Sequence, residues 1–203
     1  MLNVKRKFLF FISSFLILIT LQVESFAYST DPKQFIAEIT SEAKEILNSS
    51  NSKKIKEEQL SEIALKTVDI KGLAYYTLGR KRKEISSEEL KKYEKLFKGY
   101  FLKSFTSRLT DYSDPKIDVL SAEIVNEKYT IVKTLLLATD KKPEVKINWR
   151  VYTKNPDKPL VRDLIIEGLS LARTQKEEFA SILSANNDNI NILFEKLEEF
   201  INQ

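Results

Sequence analysis

Asp163 and Glu167, in the stretch "VRDLIIEG", are the carboxylates whose placement invites an acid–base reading. A carboxylate serves as a general acid or base only when it is buried in a cleft and its proton affinity is shifted. In a strand, however, both fall on the face opposite Leu164 and Ile166, away from the apolar side. There they are expected to bind backbone or basic side chains where the strand gives way to a helix. The second feature is a cationic run, Arg80, Lys81, Arg82 and Lys83, suited to an anionic headgroup or an acidic docking surface, or simply to solvent. The chain has no His and no Cys. That removes Cys/His zinc sites, thiol nucleophiles and His-based triads, and no Gly-rich phosphate loop is present. No cofactor and no metal are expected, and the case for an enzyme weakens.

The richest signal is apolar. A helix from about Ser87 to Thr110, opened by a Ser86/Glu89 capping box, carries Phe97, Phe101 and Phe105 on one stripe with Leu90, Tyr93, Leu96, Tyr100 and Leu109. From Lys116 onward the pattern switches to period two. "KIDVLSAEIV", "KYTIVKTLLLAT", "EVKINWRVYT" and "LVRDLIIEG" predict four strands joined by hairpin-length connections, hence an antiparallel meander. In the third strand Val145, Ile147, Trp149 and Val151 share a face. The second is apolar on both faces through Leu135, Leu136 and Leu137, which predicts a central, covered strand. Gly168 is expected to permit the turn and a close approach of strand to helix.

The other elements frame these. Asp31-Pro32 opens a first helix with Phe35, Ile36, Ile39, Ala43, Ile46 and Leu47 inward. A second helix follows the polar break Asn48 to Lys54. Asp69 to Gly79 predicts a short helix ended by Gly79, and two helices, from about Thr174 to Ala185 and Asp188 to Asn202, finish the chain. The expected class is α+β: a twisted four-stranded antiparallel sheet wrapped by helices, enclosing an apolar pocket. Candidate walls are Phe97, Phe101 and Phe105 on the long helix, with Leu135, Leu137, Ile147, Trp149, Val151, Leu164 and Ile166 on the sheet. Tyr75 and Leu78 stand at its edge. Ordinary core is the competing reading for every one of these residues.

The N-terminus bears on compartment. "MLNVKRK" is a basic leader, "FLFFISSFLILITL" an apolar segment too short for a comfortable span, and "SFA" a small-residue cleavage site. Residues 1–27 are therefore expected to be a cleavable signal peptide and residues 28–203 a single domain. Losing Lys5, Arg6, Lys7 and Glu24 lowers the net charge from +4 to about +2. That is no nucleic-acid footprint.

Three stretches, "LGRKRKEISSEELKKYEKLFKGYF" (78–101), "SFTSRLTDY" (104–112) and "VRDLIIEGLSLARTQKEEFASIL" (161–183), together resemble the MlaC family, the toluene-tolerance auxiliary proteins. Lys81 and Arg82 stand where the family often has an aromatic pair. Ser87 replaces its helix-start Pro. The resemblance implies a periplasmic phospholipid carrier that maintains outer-membrane lipid asymmetry. Its expected partners are phospholipid, the substrate-binding ring of an inner-membrane ABC transporter and an outer-membrane lipoprotein–porin complex. The carrier is expected to be monomeric, with Tyr75, Leu78 and the wall residues holding acyl chains and residues 80–83 a docking candidate. The alternatives are a small α+β enzyme acting on an apolar ligand with an Asp or Tyr acid–base, and a packed adaptor without a cavity.

Overall fold

A computed structural model describes residues 27–112, 114–140 and 142–203. All of the expected signal peptide except Ala27 lies outside them. Among the described residues no helix is long and apolar enough to cross a membrane.

The order of elements is α1 (Pro32–Asn48), α2 (Lys53–Thr67), α3 (Ile70–Leu78), a 3-10 turn (Gly79–Lys83), α4 (Ser87–Leu109), β1 (Ile117–Asn126), β2 (Tyr129–Leu136), β3 (Val145–Tyr152), β4 (Leu160–Ile166), β5 (Leu169–Ser170), α5 (Leu171–Ser184) and α6 (Ile190–Asn202). The starts are set by side-chain caps, which satisfy backbone N–H groups that the first turn leaves free. Asp31 accepts from the Gln34 amide at 2.8 Å, with Pro32 as the first helical residue. Ser86 accepts from the Glu89 amide while the Glu89 carboxylate accepts from the Ser86 amide, completing the capping box on α4. Gly79 ends α3 with φ of 61°, a left-handed conformation that a side chain would strain.

The sheet is an antiparallel meander in the order β1-β2-β3-β4-β5. It has five strands where four were predicted. Glu167 and Gly168 both have positive φ, 48° and 85°, and make a two-residue turn that folds Leu169 back onto Ile166. A Cβ on Gly168 would meet nothing within 4 Å, so the glycine serves the turn and not a close approach. Ser170 ends this short strand and caps α5 through the Arg173 amide, so α5 starts three residues before the predicted Thr174.

Two apolar cores result. One is helical, with Leu73, Leu78, Tyr93, Phe97, Phe179, Leu193 and Phe194 from α3 to α6. The other sets Phe35, Ile36 and Ile39 of α1 and Leu60 and Ile63 of α2 against Val132, Val151 and Val161 of the sheet. Val68, at the end of α2, touches both and bridges to Val161. β2 lies between β1 and β3 but is not covered on both faces as predicted. Thr130, Val132 and Thr134 are buried, whereas Lys133 on the other face is exposed.

A candidate apolar ligand site between the long helix and the sheet

The register of the sheet decides which side chains share a wall. Val132, Trp149 and Leu164 form one cross-strand row on the helix-covered face, and Thr134, Ile147 and Ile166 the next. Trp149, Leu164, Ile147 and Ile166 are each half-buried on that face. The Trp149 indole N–H donates to the Thr134 hydroxyl at 3.0 Å, and that hydroxyl donates to the Ile147 carbonyl at 3.0 Å. The one polar atom of the tryptophan is thereby satisfied within the sheet, and its ring is free to act as apolar wall.

The long helix carries a second apolar stripe. Phe97, Phe101, Phe105 and Leu109 recur every four residues and lie on one stripe of α4. Phe97 is sunk in the helical core and Leu109 packs on the sheet core, so the stripe runs from one core to the other. Phe101 and Phe105, half-buried, occupy its middle. Their rings are near-parallel with centroids 5.7 Å apart, continuing from Phe97, whose ring stacks on Phe101 at 6.3 Å. The principal packing of α4 is with α2, α3 and α6, whereas the sheet rests chiefly on α1, α3 and α5. Phe101 and Phe105 on α4, and Ile147, Trp149, Leu164 and Ile166 on the sheet, are thus the half-buried members of the two predicted walls.

The remaining predicted wall residues are placed elsewhere. Phe97, at 3% exposure, and Leu78 belong to the helical core, where Phe179 meets Phe97 edge-on at 6.4 Å. Val151 is fully buried against α1. Leu135 pairs with Lys146 and points to the outer face, away from Trp149. Leu137 follows the last residue of β2 and lines a cleft of about 360 Å³ with Tyr112, Lys116, Leu136, Lys142 and Val145. Tyr75 is not at an apolar edge: its hydroxyl donates to Glu94, and Lys71 and Arg82 lie over its ring at 5.4 and 5.3 Å. A second cleft, about 450 Å³, runs along polar residues of α1 from Ser41 to Ser49, and neither cleft is lined by Trp149 or Phe101. Thr134 and Leu136 share the face of Val132. Their even numbers, in step with Val132, are the signal that the run Leu135-Leu136-Leu137 obscured.

The titratable groups are occupied structurally. Asp163 is buried, and its carboxylate accepts from the Ala172 amide at 3.0 Å and the Ser170 hydroxyl at 2.6 Å, with Arg150 at 3.6 Å. It closes the N-terminus of α5 from the outer face, as predicted for the strand-to-helix junction. Glu167 accepts from the Lys146 amide. Burial raises the Tyr93 phenol well above its ordinary value, its hydroxyl 2.9 Å from that of Thr77. Among the described residues no cluster of acidic side chains could hold a metal ion, and no buried polar side-chain atom lacks a partner.

The fold is α+β, a meander sheet clasped by helices. The family profile described as "MlaC protein" matches residues 34–199, and the chain belongs to the MlaC family. A solved phospholipid-binding protein from Ralstonia solanacearum, in complex with a phospholipid, is similar with a TM-score of 0.70. The two are 17% identical, with 83% of this chain and 95% of that one covered, so the likeness is one of fold. No curated protein matches the sequence.

Proposed function

We propose that this protein is a non-enzymatic phospholipid carrier that takes acyl chains into the seam between α4 and the sheet. The observation that carries the proposal is the half-burial of Phe101 and Phe105 on α4 and of Ile147, Trp149, Leu164 and Ile166 on one face of the sheet, on a fold shared with a phospholipid-bound protein. Each methylene exposed to water costs about 0.8 kcal/mol, so a chain of ~16 carbons costs on the order of 13 kcal/mol. Unaided crossing of an aqueous compartment is negligible at that cost. A protein wall of similar apolarity makes the transfer from bilayer to carrier nearly isoenergetic, and the carrier then needs no nucleotide.

The compartment we infer is the periplasm, with cleavage after Ala27. In support, the chain is docked from Tyr28 onward. The Tyr28 ring meets Phe35 edge-on at 5.8 Å, its hydroxyl donates to Glu42, and the Ser29 amide donates to Glu38. Family membership supports the further reading that cargo passes between an inner-membrane ABC transporter's substrate-binding ring and an outer-membrane lipoprotein–porin complex. Trp149→Arg tests the site. Lipid extracted from the purified variant should fall to a small fraction of the wild-type amount while secretion and the folded circular-dichroism signal persist. Full lipid occupancy in that variant would remove Trp149 from the site.

A further inference from the structure

The cations at the end of α3 are not absorbed by the carrier site. Gly79 turns the chain into the 3-10 segment, which presents Arg80, Arg82 and Lys83 exposed. Among the described residues none of these three has a carboxylate within salt-bridge distance, whereas Lys81 is held by Glu84 at 3.4 Å. Two further cations extend the surface. Lys71 and Arg82 both lie over the Tyr75 ring, which joins the turn to the flank of α3. Lys176 of α5 reaches the other flank. Its Nζ lies 5.1 Å from the centre of the Tyr76 ring, and its Cε sits 3.3 Å from where a Cβ on Gly79 would be. Glu84 and Glu94 are the carboxylates paired within this surface, so cations outnumber them.

Resting on the phospholipid-carrier reading, we propose that this cationic, tyrosine-bearing end of α3 docks the protein transiently on an anionic phospholipid surface. Its cations are spread over α3, the 3-10 turn and α5. Tyr76, 43% exposed beside Lys176, offers an amphipathic ring of the type that settles at headgroup level. With a net charge of only about +2 on the processed chain, attraction to an anionic bilayer depends on where the cations gather. Such contacts are weak one by one and screened by salt, which suits a carrier that must leave after loading.

The test is co-sedimentation of the processed protein, purified from the periplasm, with vesicles of phosphatidylcholine alone and of phosphatidylcholine mixed equally with phosphatidylglycerol. Binding should require phosphatidylglycerol and be lost at high salt. The pair Arg80→Gln with Lys83→Gln should weaken partitioning by roughly 25-fold, about fivefold for each charge removed. The same change of net charge in the exposed loop before β4, Lys154→Gln with Lys158→Gln, should leave it nearly unaltered. Equal loss in both pairs, or equal binding to the two vesicles, would overturn the proposal. So would absence of vesicle binding by protein that still carries phospholipid, an outcome that leaves the carrier reading intact. Capture of an acidic protein without vesicle binding would assign the surface to that partner instead. Vesicle binding by protein that retains no lipid would uphold the docking surface and reject the carrier.

Discussion

Thr134 shows how much of an apolar wall depends on one hydroxyl. It accepts from the Trp149 N–H and donates its own O–H to the Ile147 carbonyl, so a single side chain settles the polar demands of two neighbours. Thr134→Val should cost about 1–3 kcal/mol in denaturant unfolding, the penalty of a buried donor left without a partner. An unchanged midpoint would mean that water replaces the hydroxyl. Asp163 offers the matching test for the acid–base alternative. Asp163→Ala should lower stability by about 2–3 kcal/mol, because the start of α5 loses its acceptor, while bound lipid per folded molecule stays constant. Loss of lipid at unchanged stability would instead place Asp163 in the site. Buried phenols set a pH limit. Burial raises Tyr93, Tyr28 and Tyr100 above their ordinary value, with the Glu42 carboxylate adding to the effect at Tyr28. Below about pH 10, folded and unfolded chains both keep these protons and the stabilisation is complete. Above it the unfolded chain releases them first, so stability should fall as pH rises. The denaturation midpoint across that range checks this, and Tyr93→Phe should flatten the fall.

Among the elements, the helices were the most legible from sequence, because their caps are written in it. Asp31-Pro32, Ser86 with Glu89 and the terminating Gly79 mark boundaries that the structure keeps within a residue or two. The start of α5 was hidden because Leu169 and Ser170 pair with β4 and only then hand over to the helix, so no residue is spent on a loop. β2 was misjudged for a different reason. Three successive leucines carry no period-two signal, and only the pairing of Leu135 with Lys146 reveals that it faces outward. The consequence is measurable by exchanging one carboxylate between faces. Ile147→Asp should abolish lipid retention, whereas Leu135→Asp should retain most of it, both read as phospholipid phosphorus per protein. Equal loss in the two variants would contradict the division of faces.

At the scale of the whole molecule, the α+β order and the meander were readable because each local preference agreed with its neighbours. The division into two cores was not. Phe97 and Phe105 have the same residue type and lie on the same stripe, yet one is sealed among Tyr93 and Phe179 and the other is only half-buried. Periodicity places a side chain on a face but does not say how far apart two facing elements stand, so the core and wall readings of the same residue separate only in three dimensions. The cores meet at Val68 and through the packing of α2 on α4 and of α3 and α5 on β4. The measurement that bears most directly on this account is native mass spectrometry of the processed protein, Tyr28 to Gln203, purified without detergent. The account predicts a monomer whose mass exceeds that of the chain by one phospholipid, displaced in the Trp149→Arg variant. A wild-type protein that flies only at its bare mass would contradict it.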